Sequence, residues 1–133
     1  MYSTIITPRI SETDAVGHIN NTVPPVWFEA GRAQLFAEFR PDGSLEGWPL
    51  VVKSYTVTFD REIMFGADVV VECRVARIGN TSLALREEIV QRGAVCATGE
   101  AVYVHLGEDR RPAPIPAGVR RRLEAQMAAV SHD

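Results

Sequence analysis

The stretch Ser11–Arg32, SETDAVGHINNTVPPVWFEAGR, changes character halfway along. Its first half crowds an acid, a glycine, a histidine and two asparagines between Asp14 and Asn21; its second half is a proline pair and a bulky apolar run. Asn and Asp favour turns because their side chains bond the local backbone, and glycine because a positive φ costs it nothing. Proline fits a first helical turn, where its missing N–H breaks no helical bond. Thr22 is therefore expected as N-cap, with Val23, Pro24 and Pro25 as the first turn. Trp27, Ala30, Gly31, Gln34 and Leu35 follow at spacings of three and four, and Val26, Phe28, Ala33, Phe36 and Ala37 widen the apolar surface. This pattern predicts a long, mostly buried helix that ends before the turn signal Pro41-Asp42-Gly43. The polar half is either an elaborate helix start or a catalytic loop built on one.

Outward from this stretch the period changes. Residues 3–10 read as a short strand with Pro8 at an edge or bulge, residues 11–21 as loop, and 42–49 as loop again. Residues 50–60 (LVVKSYTVTFD) are rich in strand formers, with Val51, Tyr55, Val57 and Phe59 expected on one face. Residues 68–78 alternate Val69, Val71, Cys73 and Val75 against Val70, Glu72, Arg74 and Ala76. Residues 81–92 have helical propensity, but their place between two tight turns argues for a strand. Residues 94–106 form another, followed by the proline-rich 110–116 and a short helix from about Gly118 to Ala129. Consecutive strands with short connections predict an antiparallel sheet, and one apolar helix must pack on one of its faces. The expected fold is α+β: a curved antiparallel sheet of about five strands wrapped around one long central helix, a single domain over residues 1–133.

Bulk properties narrow the function. The 133 residues are 46% hydrophobic and 23% charged, with net charge -3. That balance lacks the basic excess of nucleic-acid binders, so no nucleic-acid partner is expected. The N-terminal MYSTIITPRI has neither a charged leader nor an apolar core, and no apolar run reaches the roughly 18 residues of a membrane span. The expectation is a cytoplasmic protein with no membrane partner. The two cysteines, Cys73 and Cys96, sit in strand-like segments and read as buried thiols. The three histidines, His18, His105 and His132, match no ligand spacing, so no metal site is expected. Glu29 and Arg32 stand at i, i+3, an ordinary helix pair, and Arg120-Arg121-Arg122 reads as a solvated helix start. Ser82 and His105 make no triad without a nucleophile elbow.

The residues resemble a known family. TDAVGHINN (13–21) followed by FEAGR (28–32) is similar to the acid-containing loop, helix entry and helical E-x-x-R of hotdog-fold acyl-CoA thioesterases, in particular the 4-hydroxybenzoyl-CoA thioesterase-like family. FGADVVVE (65–72), RIGNTS (77–82) and PIP (114–116) match weaker family features in the same order. The resemblance implies hydrolysis of an acyl-CoA thioester to free acid and CoA. Asp14 falls at the position of the catalytic carboxylate, as nucleophile or as general base for water. The backbone N–H of Asn21, at the helix N-terminus, would polarise the thioester carbonyl, and Gly17 would permit the sharp turn. His18, Asn20, Trp27, Thr81 and Ser82 are the candidate substrate contacts. No metal and no organic cofactor is implied; CoA enters only as part of the substrate. A homodimer joined sheet edge to sheet edge, or a homotetramer built from it, is implied, with the site at the subunit interface. Two alternatives remain: a non-catalytic acyl-thioester binding domain, and a hydratase or dehydratase, which the missing D-x-N-P-x-H pattern disfavours.

Overall fold

The computed structural model describes residues 1–131, with side chains described as far as Met127; His132 lies outside them. Strand β1 (Tyr2–Ile6) leads through a 3-10 turn at Ile10–Glu12 to helices α1 (Val23–Gly31) and α2 (Ala33–Phe39). Strands β2 (Leu50–Phe59), β3 (Val69–Ile78), β4 (Ser82–Gln91) and β5 (Ala94–His105) follow, then helix α3 (Ala117–Ser131). The strands form one antiparallel sheet in the order β1-β3-β4-β5-β2. The α+β architecture expected from the sequence is therefore present, with its curved sheet and its helix on one face.

Several local expectations are corrected. β1 stops at Ile6, and Pro8 lies beyond it. β2 does not pair with β3, its sequence neighbour, but with β5 at the far edge. The connection 60–68 is long enough to cross the roughly 14 Å that three strand spacings demand, and no tight turn forces a hairpin. A bulge at Lys53 breaks the period in β2: Val52 pairs with Tyr103 and Ser54 with Val102. The extra residue puts Val52, not Val51, on the face of Tyr55, Val57 and Phe59. The alternation expected in β3 is observed, with Val69, Val71, Cys73 and Val75 all buried.

The central helix is two helices. α1 ends at Gly31, and Arg32 separates it from α2, its amide turning back to the Glu29 carbonyl at 3.1 Å. Gly31 is where the helix presses closest on the sheet: a Cβ there would stand 2.5 Å from Val71 Cγ1. Nor is the helix buried all round. Pro24, Trp27, Phe28, Gly31, Leu35 and Phe39 are buried, while Val26, Ala30, Ala33 and Ala37 are exposed.

The core has two apolar clusters. One gathers Leu35, Phe39, Val75, Leu83, Leu85 and Tyr103 with Val119 and Leu123 of α3. The other holds Trp27, Phe28, Val69, Val71, Ile89 and Ala97. On β4 the seam between them is Glu87, flanked on the same face by Leu85 and Ile89, and on the helix it is Arg32. The Arg32 guanidinium grips the Glu87 carboxylate through Nε and through Nη2 at 3.0 Å, and donates to the Tyr103 hydroxyl at 2.9 Å. It also lies 4.8 Å from the centre of the Tyr55 ring. Burial disfavours the charged guanidinium, but the carboxylate against it outweighs that and holds Arg32 above its ordinary value. Arg32 thus pairs across the core rather than with Glu29. Arg120 and Arg122 are not simply solvated either: Arg120 donates to the Gly79 carbonyl at 2.7 Å, and Arg122 pairs with Glu38 at 2.7 Å.

Candidate active site

A cleft of about 390 Å3 opens beside the start of α1, between the 14–21 loop and the segment 59–63. The loop is built from its base upward. Glu12 clamps both flanks: Oε1 accepts the Arg9 amide at 2.7 Å, and Oε2 accepts the Trp27 indole N–H at 3.0 Å. Burial pushes the Glu12 carboxyl up, but these two donors and the Arg9 guanidinium bring it below the usual carboxylate range. The Asn20 amide donates to the Glu12 carbonyl at 2.8 Å, and Thr13 bridges Ile19, so Asp14–Gly17 is the tip of a small hairpin. Gly17 turns it with φ +83°; nothing crowds the place of a Cβ, so the backbone conformation, not space, calls for glycine.

Asp14 stands on that tip, exposed to the cleft. Its Oδ1 accepts the amides of Val16 at 2.9 Å and His18 at 3.1 Å. Among the described residues no protein donor reaches Oδ2. One oxygen of the carboxylate therefore shapes the turn while the other faces the cleft unengaged.

Thr22 stands at the N-cap position of α1, as expected, but makes no side-chain cap bond. Asn20 braces the helix entry from outside: its Oδ1 accepts the Thr22 amide at 3.0 Å and the Thr22 hydroxyl at 2.9 Å, and its carbonyl accepts the Val23 amide at 2.9 Å. Pro24 and Pro25 have no N–H to offer. Among the described residues this leaves the Asn21 amide as the unengaged donor at the helix entry, on the wall of the same cleft. A helix N-terminus carries positive potential, so an oxygen developing negative charge is favoured there.

The structure brings Asp14, Gly17, His18, Asn20 and Asn21 together and separates the other candidates. Trp27 is 3% exposed and its indole N–H is spent on Glu12, so it supports the loop from the core and offers no substrate wall. Thr81 and Ser82 lie at the opposite end of the sheet, where the Thr81 carbonyl accepts the His105 amide at 2.7 Å. Asp60 and Arg61, on the cleft, both reach Cys96 instead, at the other end of β5. From Ala97 to His105 is about 26 Å along a strand, so one chain does not unite Thr81 and Ser82 with Asp14. His105 is likewise remote; its Nδ1 meets the Ala113 carbonyl at 3.0 Å.

Three supporting residues escaped the sequence. Glu12 carried one signal, its position three residues after Arg9, in the manner of a capping pair. Glu62, whose Oε2 lies 3.0 Å from His18 Nε2, carried none. Nor did Gln91, buried on β4, which exchanges two hydrogen bonds with the Met64 backbone and donates a third to the Ala67 carbonyl. Both cysteines are free and buried, and burial pushes the Cys73 thiol up to about 12, far from a nucleophile's range. Among the described residues, no three His, Cys, Asp or Glu side chains gather closely enough to hold a metal ion. No helix among them is long and apolar enough to cross a membrane.

Comparison with known proteins gives this geometry a context. A family model described as the thioesterase-like superfamily matches residues 8–123. A predicted thioesterase from Bacillus stearothermophilus is 49% identical with a TM-score of 0.90, over 94% of this chain and 95% of that one. A Thermus thermophilus thioesterase solved with coenzyme A and Zn is 31% identical with a TM-score of 0.85, over 96% of this chain and 94% of that one. The Bacillus subtilis protein YsmA is 28% identical over 107 residues, 78% of this chain and 71% of its own length.

Proposed function

The chain belongs to the thioesterase-like superfamily, and from that membership we propose that it hydrolyses an acyl-CoA thioester at the cleft beside α1. The observation that carries this reading is the pairing of an open carboxylate oxygen on Asp14 with an unengaged amide on Asn21 in one cleft. A water or the thioester carbonyl carbon meets the carboxylate, as base or nucleophile, while the carbonyl oxygen takes the Asn21 N–H and the helix potential as charge develops on it. As base, Asp14 takes a proton from the water whose oxygen bonds the carbonyl carbon; as nucleophile, it forms a mixed anhydride that water then hydrolyses. In both, the C–S bond breaks, CoA leaves as the thiolate and the free acid is released. Gly17 sets the turn, Asn20 fixes the helix entry, and His18 walls the cleft. No metal or organic cofactor takes part. The coenzyme A in the Thermus thermophilus relative supports a CoA-bearing substrate.

The working unit is a dimer or a tetramer built from it. β2 is an edge strand that leaves Val52, Tyr55 and Phe59 exposed, and the exposed Val26, Ala30, Ala33 and Ala37 of the helices lie open as well. Such an edge invites pairing. Two copies joined β2 to β2 about a two-fold axis run antiparallel, which sets the Leu50 end of one against the Phe59 end of the other. The far-end residues Thr81 and Ser82 then approach the Asp14 cleft from the partner subunit rather than from the same chain.

The test is free-thiol release from short, medium, long and aromatic acyl-CoAs. Turnover concentrated on one acyl class supports the reading and names the substrate. No thiol release from any member of the panel would remove it.

A further inference from the structure

Asp14 goes where His18 goes. The Asp14 amide donates to the His18 carbonyl at 2.7 Å, and the His18 amide returns a bond to Asp14 Oδ1 at 3.1 Å. The His18 ring is itself held, with Nε2 at 3.0 Å from Glu62 Oε2. Glu62 in turn sits on a segment pinned to β5. The Asp60 and Arg61 amides both donate to the Cys96 carbonyl, at 2.9 and 3.0 Å, and the Thr98 hydroxyl donates to Asp60 Oδ2 at 3.1 Å. We propose that Glu62 is a positioning residue for the reaction: through the His18 ring it ties the Asp14 turn to the sheet and fixes the open carboxylate oxygen relative to the Asn21 amide. The catalytic half of this inference rests on the thioesterase reading above.

The backbone pairs His18 with Met64, which Gln91 of β4 holds in turn, so the base of the turn is anchored while its tip is not. On the far side of His18 from Asp14, the Ile19 amide meets the Ile63 carbonyl at a firm 2.8 Å. On the near side the only stitch to the 60–65 segment among the described residues is Phe65 to the Gly17 carbonyl, at a long 3.4 Å. The turn between them is exposed and passes through the positive φ of Gly17. To this backbone pairing the Glu62–His18 contact adds a side-chain tie that holds the His18 ring itself. Its side chains are 69% and 26% exposed, so as a surface pair it adds little to global stability. Its leverage is geometric, because misplacing a catalytic group by about 1 Å can cost roughly 100-fold in rate. Loss of Glu62 therefore lowers turnover far more than it lowers stability.

The experiment compares the full chain with Glu62→Ala and Glu62→Gln by amide hydrogen exchange at Asp14 and His18, with acyl-CoA turnover on the same samples. Glu62→Ala is expected to speed exchange at both amides and to lower kcat about tenfold with KM within about twofold. Glu62→Gln, whose carboxamide oxygen still accepts the Nε2 hydrogen bond, restores most of both. Unchanged exchange in Glu62→Ala, or equal loss in the Ala and Gln variants, overturns the proposal. If wild type turns over no thioester, the functional reading falls, and the exchange rates alone decide whether Glu62 positions the turn.

Discussion

Glu12 shows how one half-buried side chain can decide the shape of a whole loop. Its two oxygens hold Arg9 on one side and Trp27 on the other, and its carbonyl takes the Asn20 amide. Because the folded state holds its carboxyl below the ordinary value of 4.5, Glu12 adds stability that is fully present above that value and is lost as pH falls through the lower folded one. Chemical denaturation of wild type and Glu12→Gln from pH 7 to pH 3 reads this directly. The stability gap between them should be widest near neutrality and should close below pH 4.5; a gap that stays constant would show that Glu12 contributes no pH-dependent part. That Asp14, Gly17, Asn20 and Asn21 share one turn was legible in the sequence because they are neighbours whose turn chemistry is local, while the roles expected of them came from the family resemblance. Glu62 and Gln91 were not, since each finds its partner tens of residues away, at His18 and Met64.

At the scale of elements, the helix was legible from its period, but its break was not. The pattern runs on through Arg32 without interruption, and only Glu87, fifty-five residues on, explains why a charged side chain turns inward there. A buried pair of this kind is costly to break and of little net worth to keep. Arg32→Met alone strands the Glu87 carboxylate and should cost about 3–5 kcal/mol, whereas Arg32→Met with Glu87→Leu should recover most of that loss. Denaturant midpoints of the two single variants and the double variant form the cycle; additive losses would mean that the pair is not the coupled unit described. Gly31 tests the same helix against the sheet. Alanine there gains about 1 kcal/mol of helix propensity, but its Cβ meets Val71 Cγ1 at 2.5 Å in a packed core. Overpacking of about 1–3 kcal/mol outweighs the gain, so Gly31→Ala should lower Tm by several degrees. A raised Tm would show that the helix can lift off Val71 freely. The strand bulges at Lys53 and Ala76 were invisible for a related reason: register is set by the neighbouring strand, not by the alternation within one.

For the whole molecule, the sheet order explains what a single chain leaves undone. β2 reads as a core strand by composition, yet it lies at an edge, with Val52 50% and Phe59 51% exposed. Thr81 and Ser82 were grouped with Asp14 by resemblance, and the fold puts a sheet's length between them within one subunit. Light scattering should give a mass at least twice the 14.7 kDa of one chain. A fully active monomer would contradict the shared site.

The proposed reaction depends on the Asp14 carboxylate acting on a thioester beside the Asn21 amide. Asp14→Asn isolates it, because the carboxamide oxygen still accepts the Val16 and His18 amides and keeps the turn. The decisive measurement is kcat for thiol release by wild type and Asp14→Asn on the best acyl-CoA of the panel. A loss of about 100-fold or more, with Tm unchanged, is the predicted result. Equal turnover in the two proteins would reduce Asp14 to a turn residue and rule out its part in catalysis.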